Sequence, residues 1–253
     1  VLVKNAVSNP IFTSDLAIKN FSYKTDTLGN INVKVDNETA NAFNVDIKIT
    51  GQANDVSLTG KYFTGEGNLD MLLAINKLNL ASIRGFTAGQ LTDAGGLVNK
   101  KIQIKGNTKT PKVNGTLQFN NAFVTPTMLG ERFTLNDDKI QIDETGFHFN
   151  QFSLTDTTGS EAILNGVVFT KDFRNYTFGL SFKADNFNVV HSTKAENQLF
   201  YGDLNIDADI KINGSMEAPT INATINANKE TDFIFVLPSN DPEVVSREGV
   251  VNF

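Results

Sequence analysis

The chain has 253 residues, 22 basic against 28 acidic side chains, a net charge of −6, a pI near 5.0 and no cysteine. That balance argues against a nucleic-acid binder, which needs a basic stripe to displace counterions, and against attraction to anionic lipid headgroups. The missing cysteine removes disulfides, Cys-ligated zinc and thiol catalysis together.

The length suits one or two domains at roughly 150 residues each. Only 40% of the residues are hydrophobic and the mean hydropathy is slightly negative, so the apolar residues have to be placed on one face at a time. Asn occurs 31 times, Phe 20 times and Trp not at all. Asn is a poor helix former that favours turns, whereas Phe suits strands. No run approaches the ~18 consecutive apolar residues of a membrane helix. The first residues, Val1-Leu2-Val3-Lys4-Asn5-Ala6-Val7, lack a signal peptide's basic flank and long apolar stretch and have no initiator Met, so the chain reads as a piece of a longer protein.

In chain order, the pattern has period two. Ile31, Val33 and Val35 alternate with polar residues, then Phe43, Val45, Ile47 and Ile49, then Leu69, Met71, Leu73 and Ile75. Leu80, Ile83, Phe86 and Leu91 follow at near-helical spacing, which predicts a helical turn there. Ile140 and Ile142, Phe147 and Phe149, and Phe152 and Leu154 alternate across short breaks, and Tyr176, Phe178, Leu180 and Phe182 form a clean run. Residues 189–199 are a polar interlude suited to a short helix or loop. Leu204, Ile206, Ala208, Ile210 and Ile212 then make a long strand of roughly 30 Å. Side chains alternate between faces in a strand, so each segment has one apolar and one polar face. Leu28-Gly29-Asn30, Asn114-Gly115, Thr158-Gly159-Ser160, Asn165-Gly166 and Asn213-Gly214 supply turn chemistry, and Gly115 and Gly166 are candidate bulges. Such short connections favour antiparallel neighbours.

The chain also resembles itself. Ile102-x-Ile104-x-Gly106 with Pro111-x-Val113-Asn114 matches Ile210-x-Ile212-x-Gly214 with Pro219-x-Ile221-Asn222 at an offset of 108. Leu58-Thr59-Gly60 matches Leu164-Asn165-Gly166 at 106. This predicts leading strands in residues 1–42, a first unit in 43–150 and a second in 151–253, stacked in one continuous sheet.

Catalytic chemistry is not indicated. His148 and His191 have no second ligand at metal spacing, and no nucleophile elbow or phosphate loop is present. Asp137-Asp138, Asp143-Glu144 and Asp207/Asp209 read as solvated charge in turns or on outward faces. No enzyme activity, metal or other cofactor is expected. The apolar strip has two possible fates: burial under a second sheet as a β-sandwich, or an open trough. Phe119, Phe123, Phe133, Phe147, Phe149, Phe152, Phe169, Phe178 and Phe182 would line one side densely.

Several pieces, taken in order, resemble a known family. They are Gly106-x4-Pro111-x-Val113-x-Gly115-x-Leu117, Asp156-Thr-Thr-Gly159-Ser-x-Ala162-x-Leu164-x-Gly166, Asp185-Asn-Phe187-x-Val189, Phe200-Tyr201-Gly202 with Leu204, Gly214-x4-Pro219, Val236-Leu237-Pro238 and Arg247-Glu248-Gly249-Val250-Val251-x-Phe253. This series is similar to the C-terminal region of TamB proteins, most like those of Bacteroidetes, among the AsmA-like bridge-type lipid transport proteins. The resemblance implies an all-β, mostly antiparallel or mixed sheet curled into an apolar trough, a β-taco. It implies a periplasmic segment of an inner-membrane-anchored Gram-negative protein that conducts phospholipid toward the outer membrane. It also implies a TamA- or BamA-like barrel partner. The alternatives are a scaffold that adds strands to nascent outer-membrane barrels, and a cell-surface β-repeat module. The side chains expected to line the trough and meet acyl chains are Phe147, Phe149, Phe152, Leu154, Phe178, Leu180, Phe182, Leu204, Ile206, Ile210, Ile212, Ile221, Ile225, Phe233 and Phe235.

Overall fold

The structure, a computed structural model, describes residues 2–4 and 11–237. The Arg247–Phe253 motif and Pro238 lie outside the described residues. Among the described residues sixteen strands form one sheet. They are β1 (Leu2–Lys4), β2 (Ile11–Tyr23), β3 (Asp26–Thr39), β4 (Ala42–Gly51), β5 (Asn54–Phe63), β6 (Asn68–Asn79), β7 (Leu91–Asn107) and β8 (Lys112–Pro126), then β9 (Phe133–Leu135), β10 (Lys139–Asp143), β11 (Gly146–Thr155), β12 (Glu161–Phe169), β13 (Thr177–Ser192), β14 (Phe200–Ser215), β15 (Pro219–Ala227) and β16 (Asp232–Phe235). A 3-10 helix, η1 (Leu80–Thr87), joins β6 to β7, with the Asn79 side chain accepting the Ala81 N–H as its cap.

The order is a meander in which each strand pairs antiparallel with the next. Two positions hold two short strands end to end. β9 and β10 share the slot between β8 and β11, and β15 and β16 both pair with β14. The path has fourteen positions, so at ~4.8 Å per step the sheet extends about 60 Å across its strands. No second sheet is present among the described residues, so the sandwich alternative gives way to a single sheet curled around its apolar face.

Bulges inside the strands supply the bend. The pairing slips between Ile18 and Phe21, Ile75 and Leu78, Phe149 and Phe152, and Ala184 and Phe187. At four bends the bulged residue is left-handed: Asn20 (φ 50°), Asn121 (46°), Gln151 (51°) and Asn186 (46°). Asn tolerates this region better than most residues with a Cβ. Each bulged N–H leaves the ladder and donates to a side-chain oxygen: Asn30 Oδ1 at 3.0 Å, Asp137 Oδ1 at 3.1 Å, Asn165 Oδ1 at 2.7 Å and Asp207 Oδ1 at 2.8 Å. Opposite the β11 bulge, Gly166 (φ +115°) brings its backbone so close to β13 that a Cβ would stand 2.1 Å from the Gly179 carbonyl oxygen. Gly115, by contrast, pairs with Ile102 and Ile142 without a register shift and marks no bulge.

Curvature shows in contacts between strands that are not neighbours. The Phe133 ring on β9 stacks on Phe187 of β13 at 5.3 Å, although their backbones are three pairing steps, about 14 Å, apart in a flat sheet. Three buried clusters result, centred on Ile75, Ile102 and Ile142, on Ala122, Leu135 and Phe152, and on Phe133, Ala162 and Phe187. Leu80 of η1 packs on the second and Leu129, from the β8–β9 connection, on the third. The expected helical turn at 80–91 is η1, with Leu91 already in β7. The interlude at 189–199 begins later than its polarity suggests. β13 runs to Ser192 through two bulges, which scramble the alternation while Val190 and Ser192 still pair with Leu204 and Gly202.

The turn after β12 holds Phe173 edge-on to Phe147 at 5.9 Å. Asp172 organises it by accepting the N–H groups of Asn175 and Arg174, and these bonds, Asn175 first, hold its carboxyl down from 3.8 to about 2. The folded value lies below the unfolded one, so this contribution is complete above pH 3.8 and is lost as the pH falls through about 2. Asp172→Asn should therefore lower the melting temperature at pH 7 and converge on the parent near pH 2; a pH-independent difference would remove the carboxylate from the account. The bulge latches make a second prediction. Asn165→Ala leaves the Gln151 N–H without its acceptor and should cost about 1 kcal/mol in urea unfolding. Asn222→Ala, on exposed β15, should stay within about 0.5 kcal/mol of the parent.

Candidate functional site

The strand register sorts the apolar residues into rows that run across the strands. One row passes through Leu16, Val33, Ile47, Leu58, Leu73, Ile102, Gly115, Ile142, Phe147, Val168, Phe178, Gly214 and Pro219, each paired with the next, from β2 to β15. No polar side chain interrupts it. The adjacent row opens as Ile18, Ile31, Ile49, Val56 and Ile75 and meets Lys100 at the β7 bulge. It resumes as Leu117, Ile140, Phe149, Gly166, Leu180, Ile212 and Ile221.

The fifteen side chains expected to line the trough all fall on this face. Phe147 and Phe178 are in the first row and Phe149, Leu180, Ile212 and Ile221 in the second. Phe152, Phe182 and Ile210 share a third with Leu164. Leu154 and Ile225 belong to a fourth that runs from Ala122 and Leu135 through Leu154, Ala162, Ala184 and Ala208 to Ile225. Ile206 pairs with Phe187, and Leu204 with Val190. Phe233 and Phe235 extend the same face on β16, opposite Gly202 and Phe200.

Burial divides them. Phe152 and Ile206 are dry core at 5% and 4% exposure, whereas Ile221, Ile225 and Phe235 are 58%, 53% and 60% exposed; the other ten are half-buried. The face is thus closed beneath the inserts in the middle of the sheet and bare at the β15 side. Two of the phenylalanines expected beside them point the other way. The Asn121 bulge turns Phe123 outward, where the Arg132 guanidinium covers its ring at 4.0 Å. Phe169 also faces outward, because its neighbour Val168 is the one in register with Phe147 and Phe178. The β2–β7 part of the row was visible as alternation in sequence, but only the register joins it to the C-terminal part.

The opposite face is polar and carries charges in register. Lys34 pairs across from Asp15, Lys105 from Asp70 and Lys183 from Asp209, with N–O separations of 3.9, 3.7 and 3.3 Å. Exposed pairs of this kind contribute little stability but keep like charges apart. The acidic residues read as solvated charge are in part structural: Asp137 and Asp207 latch bulges, and Asp138 accepts the Ser153 N–H. The Asn186 N–H, its first cause, and the Asn228 amide hold the Asp207 carboxyl below its usual range. His148 lies beside Asp143 at 2.9 Å and His191 beside Asp203 at 2.6 Å. The hydrogen bond to Asp203 raises the His191 value. Among the described residues no group of three or more His, Asp or Glu could hold a metal ion, and no helix is long and apolar enough to cross a membrane.

Residues 150–253 match the family model described as the TamB C-terminal domain. No curated protein and no solved structure matches the chain. The matched residues begin in β11 and take in β12 to β16, the part of the sheet where the apolar face passes from dry core to bare surface. On that match residues 150–253 carry a TamB C-terminal domain.

Proposed function

We propose that the apolar face is a passive path for phospholipid acyl chains, in a periplasmic segment of a Gram-negative envelope protein that reaches toward the outer membrane. TamB proteins are related to lipid transport and outer-membrane assembly and are not known as an enzyme family. The observation that carries the reading is the uninterrupted row from Leu16 to Pro219, exposed where it starts and on the strand where it ends. Each CH₂ removed from water is worth about 0.8 kcal/mol, and a lining of similar side chains gives each position similar affinity, so a chain can slide without a deep trap. The headgroup would stay in water at the rim. Two units related by the offset near 107 fit this reading as successive lengths of one path. Their matched glycines, Gly60 with Gly166, Gly96 with Gly202 and Gly106 with Gly214, share positive φ.

A second reading is strand addition to nascent outer-membrane barrels, with a TamA- or BamA-like partner. It is supported by β15, which carries no charge, pairs without a bulge and has all nine residues exposed. Such an edge lacks the usual devices against strand addition.

Photolabelling separates the two. Purified chain mixed with vesicles of a phospholipid carrying a diazirine in its acyl chain should be labelled along the inner face. Leu180→Asp and Ile221→Asp should each cut labelling about tenfold or more, since a buried charge opposes an acyl chain. Ile221→Asp should leave the melting temperature unchanged, because that side chain is already exposed. Chain extracted without phospholipid and unlabelled by the vesicles would overturn the acyl path. Loss of barrel assembly through β15 edge changes, with labelling intact, would favour strand addition.

A further inference from the structure

Between β8 and β9 the chain leaves the ladder as a strap, residues 127–132, and crosses to the far side of the third cluster. At its near end Thr127 N–H donates to the Gln90 carbonyl at 2.9 Å, and Arg132 pairs with Asp93 at 2.8 Å, so this end is tied to the connection before β7 and to β7 itself. At its far end the Leu129 carbonyl accepts the His191 N–H at 2.9 Å and the Met128 carbonyl accepts the Asn197 side chain at 3.0 Å. The strap therefore joins β7 and β8 to the end of β13, passing the β11–β12 turn, where Glu131 meets Thr157. Leu129 points onto Phe133, Ala162 and Phe187, which are the inner-face floor at its driest, with exposures of 6%, 0% and 1%.

Resting on the acyl-path reading, we propose that this strap is a gate. Leu129 occupies the place of a passing acyl chain, and the strap lifts from β13 to let the chain through. Three features suit a reversible closure. One aliphatic side chain supplies its contact with the apolar cluster, and a chain of the same chemistry can replace it. Its attachment to β13 and the following loop is through two hydrogen bonds, both of which water can take over. Its buried carboxylate, Glu131 at 1% exposure, accepts from the Thr157 N–H and hydroxyl at 2.8 and 2.7 Å, neutral donors in place of a direct ion pair. The seat itself is tight. Gly130 (φ +69°) lies so close to β13 that a Cβ there would stand 2.2 Å from the His191 carbonyl oxygen.

A lock and a wedge test the gate. The chain has no native cysteine, so Met128→Cys with Asn197→Cys supplies its one pair of thiols, and their oxidation, verified by mass, holds the strap down. With the diazirine phospholipid, peptides carrying Ile221 and Ile225 should label whether the disulfide is formed or reduced. Peptides carrying Phe133, Ala162 and Phe187 should label about tenfold more after reduction, as a shift from closed to open populations requires. Gly130→Ala, which cannot seat, should label the floor without any reductant. Equal floor labelling in the oxidised and reduced protein overturns the gate, and so does a floor that stays unlabelled in Gly130→Ala while Ile221 labels. Absence of labelling at every position overturns the acyl path and the gate with it.

Discussion

A sheet with one apolar face and no second sheet to cover it must bend that face around itself, and bending breaks the ladder. Each bulge turns a backbone N–H out of the inter-strand pattern, and an N–H left without an acceptor costs about 1–3 kcal/mol when buried. Here the released groups at Asn20, Asn121, Gln151 and Asn186 are taken by the side-chain oxygens of Asn30, Asp137, Asn165 and Asp207. Asn serves on both sides of this arrangement, as a residue that accepts left-handed backbone and as a side chain that supplies the acceptor. The large number of asparagines in the chain is explained in part by the bends within strands as well as by the turns between them.

The bends alone do not close the face. Side chains from outside the ladder finish the packing: Leu80 from η1, Leu129 from the strap and Phe173 from the turn after β12. These inserts are concentrated in the middle of the sheet, so burial is greatest there and falls away toward both edges, to 51% exposure at Leu16 and 58% at Ile221. The same residues that stabilise the curl therefore decide how much of the apolar face can meet anything else.

The two faces also divide the electrostatics. Lys34, Lys105 and Lys183 lie opposite Asp15, Asp70 and Asp209 on the outer face, and the first row of the inner face carries no charge at all. The outer edges differ in kind. Beyond the Ile11–Thr13 stretch that β1 covers, β2 carries Asp15 and Lys19 and a bulge, features that discourage strand addition, whereas β15 is uncharged and regular. Among the described residues the apolar face therefore ends on a strand without those features.

Much of this was legible in the sequence because strand alternation is a local property. The strands at 31–35, 43–49, 69–75, 178–182 and 204–212, the placement of fifteen apolar side chains on one face, the helical turn after Asn79 and the family resemblance, read from about residue 45 onward and matched over residues 150–253, all follow from residue order. The bulges were not legible. They shift the phase by one residue, so Phe123 reads as inward and lies outward, and β13 reads as ending before Ser192. Asp137 and Asp207 read as solvated charge because the N–H groups they accept come from residues 16 and 21 positions away. Alternation along a strand determines which side chains share a face. Only the pairing of distant strands decides which of those faces join into one row, where the row is covered and where it is left open, because those outcomes depend on register and on inserts that reach across several strands.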